Sequence, residues 1–297
     1  MHCIALGTLL LLLVGCGGAP FPPVESGFAE FGDSRLYYEV AGTGEPTVVL
    51  IHGGMLDNSM WDGQFAMLSQ SHRVVRYDSS AHGQSALPPE AYWDHMDLRG
   101  LMDHLGIERA VLVGLSMGGR VAIDMALEEP DRVEAVVAVS SGLSGYRFVS
   151  DFHMENRKSL IAAWKSGEFD AVVEAFQREW TDGPHRSPED VDPEIRERVR
   201  VMARNTVESV MEGRSLRPPA IDRLAELKLP MLVVVGELDM PGIHEIADLL
   251  IAANPNAELV TVPDVAHMVT MEEPGEFNRL LLDFLDRFEV SSGAESR

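Results

Sequence analysis

The sequence predicts an α/β fold in which a mostly parallel, twisted sheet carries helices on both faces and a helical insertion forms a lid. Two observations carry this prediction. Short apolar runs of strand type alternate with segments of helical period over residues 35–139 and again over 230–287, the pattern of right-handed βαβ units. Between those halves, residues 143–227 are charged and helical in pattern, with no run of strand type.

Each element has its own signal. Residues 35–40 alternate as a half-buried strand does, and 47–51 are almost wholly apolar, as a strand buried on both faces must be; that strand ends at His52-Gly53-Gly54. Residues 59–68 read as a helix and 73–77 as a strand. Helical spacing through Met96, Leu98, Leu101, Met102 and Leu105 marks 91–105. A strand at 110–113, a helix at 117–128 stopped by Pro130 and a strand at 133–139 follow. After the insertion come a strand at 230–236, a helix at 243–253, a strand at 258–262 and a last helix at 276–287, and the tail after Val290 is expected to fray. Pro184, Pro188, Pro193, Pro218 and Pro219 are expected to break the insertion into short helices. An insertion at this point covers the carboxyl ends of the strands, where open α/β sheets bind ligands.

Composition narrows the function. The 297 residues carry 24 Lys and Arg against 47 Asp and Glu, a formal charge of -23, and a field of that sign repels phosphate backbones, so nucleic-acid binding is not expected. The first fifteen residues hold an apolar stretch too short to span a bilayer, ending in small residues as a secretory signal does. Leu13-Val-Gly-Cys16 resembles the lipobox of bacterial lipoproteins, which would make Cys16 the lipidated first residue of the mature chain and place the protein in the cell envelope. No Lys or Arg precedes the apolar run, so a plain cleaved signal is the alternative. Cys3 and Cys16 are the sole cysteines, so a chain cut before Cys16 has no disulfide. The expected organisation is a signal peptide over 1–15, a tether over 16–27, a core over 28–142 and 228–290, and the lid over 143–227.

The chemistry centres on one serine. Gly114-Leu-Ser116-Met-Gly118 lies between an apolar strand and an apolar helix, where a sharp turn lifts the hydroxyl above the sheet and aims the helix N-terminus at a developing anion. A serine hydroxyl needs a base to take its proton. Of ten histidines, His267 follows the last strand directly and so reaches the same sheet edge; His52 and His82 have turn and loop readings, and His153 has no useful neighbourhood in the chain. Asp239, in the loop after the penultimate strand, is the expected acid that orients His267, with the adjacent Glu237 as its rival. The backbone N–H groups of Met117 and Gly54 are expected to hold the oxyanion, and losing one such donor costs about 3 kcal/mol in the transition state.

With these residues assembled, the chain resembles the α/β-hydrolases from about Phe28 to Phe288. His52-Gly-Gly54 resembles their oxyanion turn, Gly-Leu-Ser116-Met-Gly-Gly their nucleophile elbow, Gly-Glu-Leu-Asp239 their acid loop, and Ala-His267-Met-Val-Thr-Met-Glu-Glu-Pro their histidine loop. Two stretches depart. The usual Asp-x-Arg-Gly-His-Gly-x-Ser reads Asp78-Ser-Ser-Ala-His-Gly-Gln-Ser85, and Ala266 stands where Gly is usual. Dehalogenases and epoxide hydrolases of this fold carry Asp at the nucleophile position, so Ser116 implies esters, lactones, thioesters or C–C bonds. The segment around Met60-Trp61, with the overall size, resembles enol-lactonases and small carboxylesterases.

The resulting expectation is a serine hydrolase of a small ester or lactone, needing neither metal nor cofactor. C–C cleavage by the same triad and a non-catalytic receptor of the same fold are the alternatives. Trp164, Phe169, Phe176 and Trp180 are spaced to form an apolar lid face that lines a pocket or serves as lid core, and Trp61 and Met117 are expected beside the pocket, with packing beneath the first helix as the alternative for Trp61.

Overall fold

The computed structural model describes residues 22–295, with side chains through Phe288. The expected signal segment, with Cys3 and Cys16, lies outside those residues. The chain opens with an antiparallel hairpin, β1 (Glu25–Phe31) and β2 (Ser34–Ala41). Then follow β3 (Val48–Ile51), α1 (Asp62–Leu68), β4 (Val74–Tyr77), β5 (Tyr92–Trp93), α2 (Asp94–His104), β6 (Ala110–Leu115), α3 (Met117–Glu128) and β7 (Val133–Val139). The lid helices are α4 (Asp151–Lys165), α5 (Phe169–Gln177) and α6 (Pro193–Glu212). After β8 (Ser215–Leu216) come β9 (Met231–Gly236), α7 (Pro241–Ala253), β10 (Ala257–Val262), α8 (Val269–Glu272) and α9 (Pro274–Glu295).

Eight strands form one sheet in the order β1-β2-β4-β3-β6-β7-β9-β10, antiparallel at β1–β2 and β2–β4 and parallel elsewhere. Every residue of β3, β6 and β9 is buried, which is why these runs show no alternation. Phe65 and Leu68 of α1 join Phe277, Leu281 and Leu285 of α9 over one face. Leu98 and Leu101 of α2, Val121 of α3 and Ile243 of α7 cover the other. Each such side chain contributes about 1.5–3 kcal/mol by leaving water.

Three boundaries differ from expectation. Glu25 to Gly27, expected in the tether, pair with Tyr38 to Val40 as strand. Helix α9 runs to Glu295 rather than stopping near Arg287, because extending a helix already docked on the sheet needs no new nucleus. Pro193 starts α6 instead of breaking it. It occupies the first turn, where its missing N–H is no loss, and the preceding Asp192 carboxylate accepts from Glu194 N–H at 2.8 Å, so a twenty-residue helix follows.

A buried carboxyl ties the hairpin to α2. Asp97 accepts from the hydroxyls of Ser34 and Ser80, both at 2.6 Å, and burial pushes its pKa up to about 6 against these two bonds. A carboxyl raised in the folded state favours folding most while protonated, so this contribution is present below about pH 4 and is lost as pH rises through 6. Asp97→Asn is therefore expected to gain on wild type by roughly 3 kcal/mol between pH 4 and pH 8. Urea unfolding at both pH values checks this, and a difference that stays constant with pH would contradict it.

Candidate active site

Strand β6 lies at the middle of the sheet, between β3 and β7, so the residue after it emerges at the centre of the carboxyl edge. That residue is Ser116, with φ 53 and ψ −109, a left-handed conformation that a non-glycine residue adopts at a cost of order 1–3 kcal/mol. Neighbouring backbone holds it there. Its N–H donates to Val139 carbonyl at 2.9 Å, and its own carbonyl accepts from Arg120 and Gly142 N–H, both at 3.0 Å. The elbow also needs Gly118, since a Cβ there would sit 2.1 Å from the carbonyl oxygen of Ile51.

Asp239 and His267 approach from the loops after β9 and β10, beyond β7 along the same edge. Both are buried, and His267 Nδ1–H donates to Asp239 Oδ2 at 2.9 Å and Oδ1 at 3.1 Å. A carboxylate only accepts, so this bond sets the tautomer and leaves the lone pair on Nε2. Asp239 Oδ1 also accepts from Met240 N–H at 2.7 Å, which fixes the carboxylate. Glu237, the rival acid, is exposed and accepts from Asp264 N–H at 3.2 Å, away from His267.

His267 Nε2 is buried without a hydrogen-bond partner among the described residues. With Ser116, Gly54 and Met117 it lines a cavity of about 180 Å³ whose walls include Leu56, Phe176 and Trp180. The Trp180 ring lies 4.6 Å from the His267 ring, on a π-helical turn (Arg178–Asp182) that ends α5. Met117 is the first residue of α3, so its N–H stands ahead of the helical hydrogen-bond ladder, beside the cavity.

The turn carrying Gly54 is held by two histidines that sequence reasoning set aside. His52 is fully buried, its Nε2 accepting from Ser79 N–H at 2.9 Å while Nδ1 lies 2.8 Å from Gly53 carbonyl. His82 Nε2 accepts from Met55 N–H at 3.3 Å, and burial and the neighbouring His52 lower its pKa to about 4. Both rings are thus neutral acceptors, and they tie the turn to the unusual Asp78–Ser85 stretch. Ala81, standing where glycine is usual, takes φ 67 there.

A larger cavity of about 710 Å³ opens from Ser116 under the lid. His82 and His153 border it, as do Asp94 and Arg120, which pair at 2.5 Å. The lid is fastened above the edge by Arg186 and Glu272, paired at 2.5 Å, and by Thr206, whose hydroxyl donates to Met55 carbonyl at 3.0 Å. Of the expected pocket aromatics, Phe176 and Trp180 line the cavities and Met117 joins them. Trp61 does not. It is fully buried in the core, 6.1 Å from Phe277, because the short 3-10 turn before α1 points it under that helix. Trp164 and Phe169 stack on each other at 5.6 Å and border neither cavity.

Fold and site together define a hydrolase of the α/β type. The chain belongs to the Alpha/beta hydrolase family, whose model it matches over residues 48–280. Among curated proteins it is 29% identical over 261 residues to a 2-hydroxy-6-oxononadienedioate/2-hydroxy-6-oxononatrienedioate hydrolase of Paraburkholderia phymatum, covering 84% of this chain and 91% of that one. Among solved structures it is similar to the enol-lactonase of Burkholderia xenovorans, with 27% identity, a TM-score of 0.75, and 88% and 100% of the two chains covered. A thermophilic esterase of Thermogutta terrifontis is 26% identical, with a TM-score of 0.75 and 90% and 99% covered.

Proposed function

We propose that this protein is a serine hydrolase that cleaves a small carboxylic ester or lactone through an acyl-Ser116 intermediate. The observation that carries this reading is His267, oriented by Asp239 at 2.9 Å, with its Nε2 buried and unpartnered, on a residue that lines the cavity Ser116 shares. In the first half-reaction the Ser116 oxygen attacks the acyl carbon as Nε2 takes its proton, and the oxyanion meets the N–H groups of Met117 and Gly54. Collapse expels the alkoxide, which takes the proton back from His267. Water then attacks the acyl carbon by the same route, and Ser116 leaves protonated. Phe176 and Trp180 supply an apolar wall for the acyl part.

A second reading, C–C cleavage by the same triad, draws on the relative named above, a hydrolase of 2-hydroxy-6-oxononadienedioate. In it the leaving group is an enolate, and His267 delivers its proton to carbon. A panel of p-nitrophenyl butanoate, a δ-lactone and 2-hydroxy-6-oxo-6-phenylhexa-2,4-dienoate separates the two. Turnover of ester and lactone is expected; turnover of the dienoate alone would select the second reading. A fluorophosphonate adduct located on Ser116 by peptide mass spectrometry is expected under both, and a folded protein that never acquires it would remove both.

We also propose that the protein is held at the cell envelope by lipid on Cys16. In a bacterial host the full chain is expected in the membrane fraction and Cys16→Ala in the soluble one. Equal distribution of the two would count against the anchor.

A further inference from the structure

The larger cavity carries a charge pattern opposite to that of the molecule. Its lining includes four guanidinium groups, Arg120, Arg147, Arg157 and Arg217, and one carboxylate, Asp94. Arg120 is neutralised by Asp94 at 2.5 Å and Asp124 at 3.0 Å. Arg147, Arg157 and Arg217 make no hydrogen bond or ion pair among the described residues, although the chain has 47 acidic residues to offer. Most other arginines are paired or hydrogen-bonded, including all those of α6. All three are exposed at the mouth of the cavity, and in so acidic a chain three arginines left unpaired on one cavity are a local reversal of charge.

Separate elements bring them together. Arg147 lies in the loop after β7 and Arg157 on α4, while Arg217 follows β8, which pairs with β5 through Ser215 and Tyr92 and bonds Asp94 through the Ser215 hydroxyl at 2.6 Å. Desolvation lowers the pKa of Arg217, as do the charges of Arg120 and Arg157, against the opposing pull of Asp94 and Asp124, so cations and carboxylates both lie within its electrostatic reach. Clustered like charges repel unless an anion lies between them, and a guanidinium offers a planar fork of donors that matches a carboxylate.

We propose that this cluster is a subsite for a carboxylate on the substrate, at the end remote from the bond cleaved at Ser116. The subsite rests on the hydrolase reading above and narrows its substrate to anionic acyl or alcohol groups, such as half-esters of dicarboxylic acids. Arg157 and Arg217 hold the carboxylate, and Arg147 guides it through an otherwise repulsive field.

Two probes of matched length test this, p-nitrophenyl hexanoate and the p-nitrophenyl half-ester of adipic acid. The wild type is expected to prefer the half-ester by about tenfold in kcat/KM at low salt, mainly through KM, with the preference shrinking as salt rises. In Arg217→Gln and Arg157→Gln the ratio falls toward one, and Arg217→Lys keeps part of it. Because the ratio is internal to each variant, partial misfolding does not alter it. Titration calorimetry with adipate reads the subsite without turnover, and binding is expected for wild type and for Ser116→Ala, weakened in the glutamine variants. Hydrolysis of hexanoate with a ratio near one in every protein overturns the subsite and leaves the hydrolase reading intact. Adipate binding without turnover of either ester does the reverse, and absence of adipate binding overturns the subsite whatever the activity.

Discussion

Replacing Ser116 with alanine is expected to lower kcat on an activated ester by about 10⁵-fold, to within reach of the uncatalysed rate plus what the oxyanion donors still supply. The methyl group leaves the cavity, the turn and the Asp239–His267 bond unchanged but removes the atom that would become acylated. Stability should move little, because the elbow is held by the backbone bonds of Ser116 to Val139, Arg120 and Gly142 rather than by its hydroxyl. If Ser116 and His267 act as one unit, Ser116→Ala with His267→Ala will be no slower than either alone. Asp239→Asn should cost about 10⁴-fold, since an amide can present N–H to Nδ1 and stabilise the wrong tautomer. Steady-state rates on the ester, with thermal unfolding as the control for folding, check all four proteins. A Ser116→Ala enzyme that keeps a tenth of wild-type kcat would end the acyl-serine mechanism.

The second large effect is on the scaffold. In Gly236→Ala the new Cβ would sit 2.0 Å from Ala266 carbonyl oxygen and 2.5 Å from that of Val265, both backbone atoms with nowhere to go. Gly236 ends β9 and those carbonyls lead directly to His267, so relief of the clash must part the acid loop from the histidine loop. A destabilisation of at least about 3 kcal/mol is expected. For a domain of this size that lowers Tm by roughly 6–12 °C. The folded fraction should also lose about tenfold or more in kcat, because a shift of an ångström at the Asp239–His267 pair is enough to do so. Gly63→Ala is the matched control. That glycine lies in α1 with open space around its Cβ position, and alanine there favours the helix. Calorimetric unfolding of the pair distinguishes a steric requirement from a general dislike of substitution; equal Tm values would refute the close approach.

Ser116, Asp239 and His267 were legible because each is announced by the chain beside it. An apolar run that stops at a glycine marks a buried strand and its turn, and in a parallel sheet successive turns share one edge. Glu237 and Asp239 stand two residues apart, and the sequence favoured Asp239 only because Glu237 immediately follows the strand. Only the turn after β9, where Asp239 N–H bonds back to Gly236 carbonyl at 3.2 Å, separates the exposed carboxylate from the buried one. His82 and His153 were passed over because nothing near them in the chain signals a cavity. His82 acquires its place from Met55 and Ser80, and His153 from Glu179, with which its Nδ1 pairs. Trp61 was open between the pocket and packing beneath the first helix, and the 3-10 turn selects the core.

By itself, then, the sequence determined the parallel α/β sheet, the inserted lid and the loops that hold Ser116, Asp239 and His267. Those features follow from periodicity and turn chemistry within a few residues of each position. Tertiary structure alone decided which lid residues face the cavity, how the lid is fastened at Glu272 and Met55, and that Arg147, Arg157 and Arg217 converge unpaired around it. The groups concerned come from positions as far apart as residues 55 and 272, and the lid's local pattern says only that it is helical. Where its helices cross the sheet edge is set by packing between distant surfaces, which no local spacing encodes.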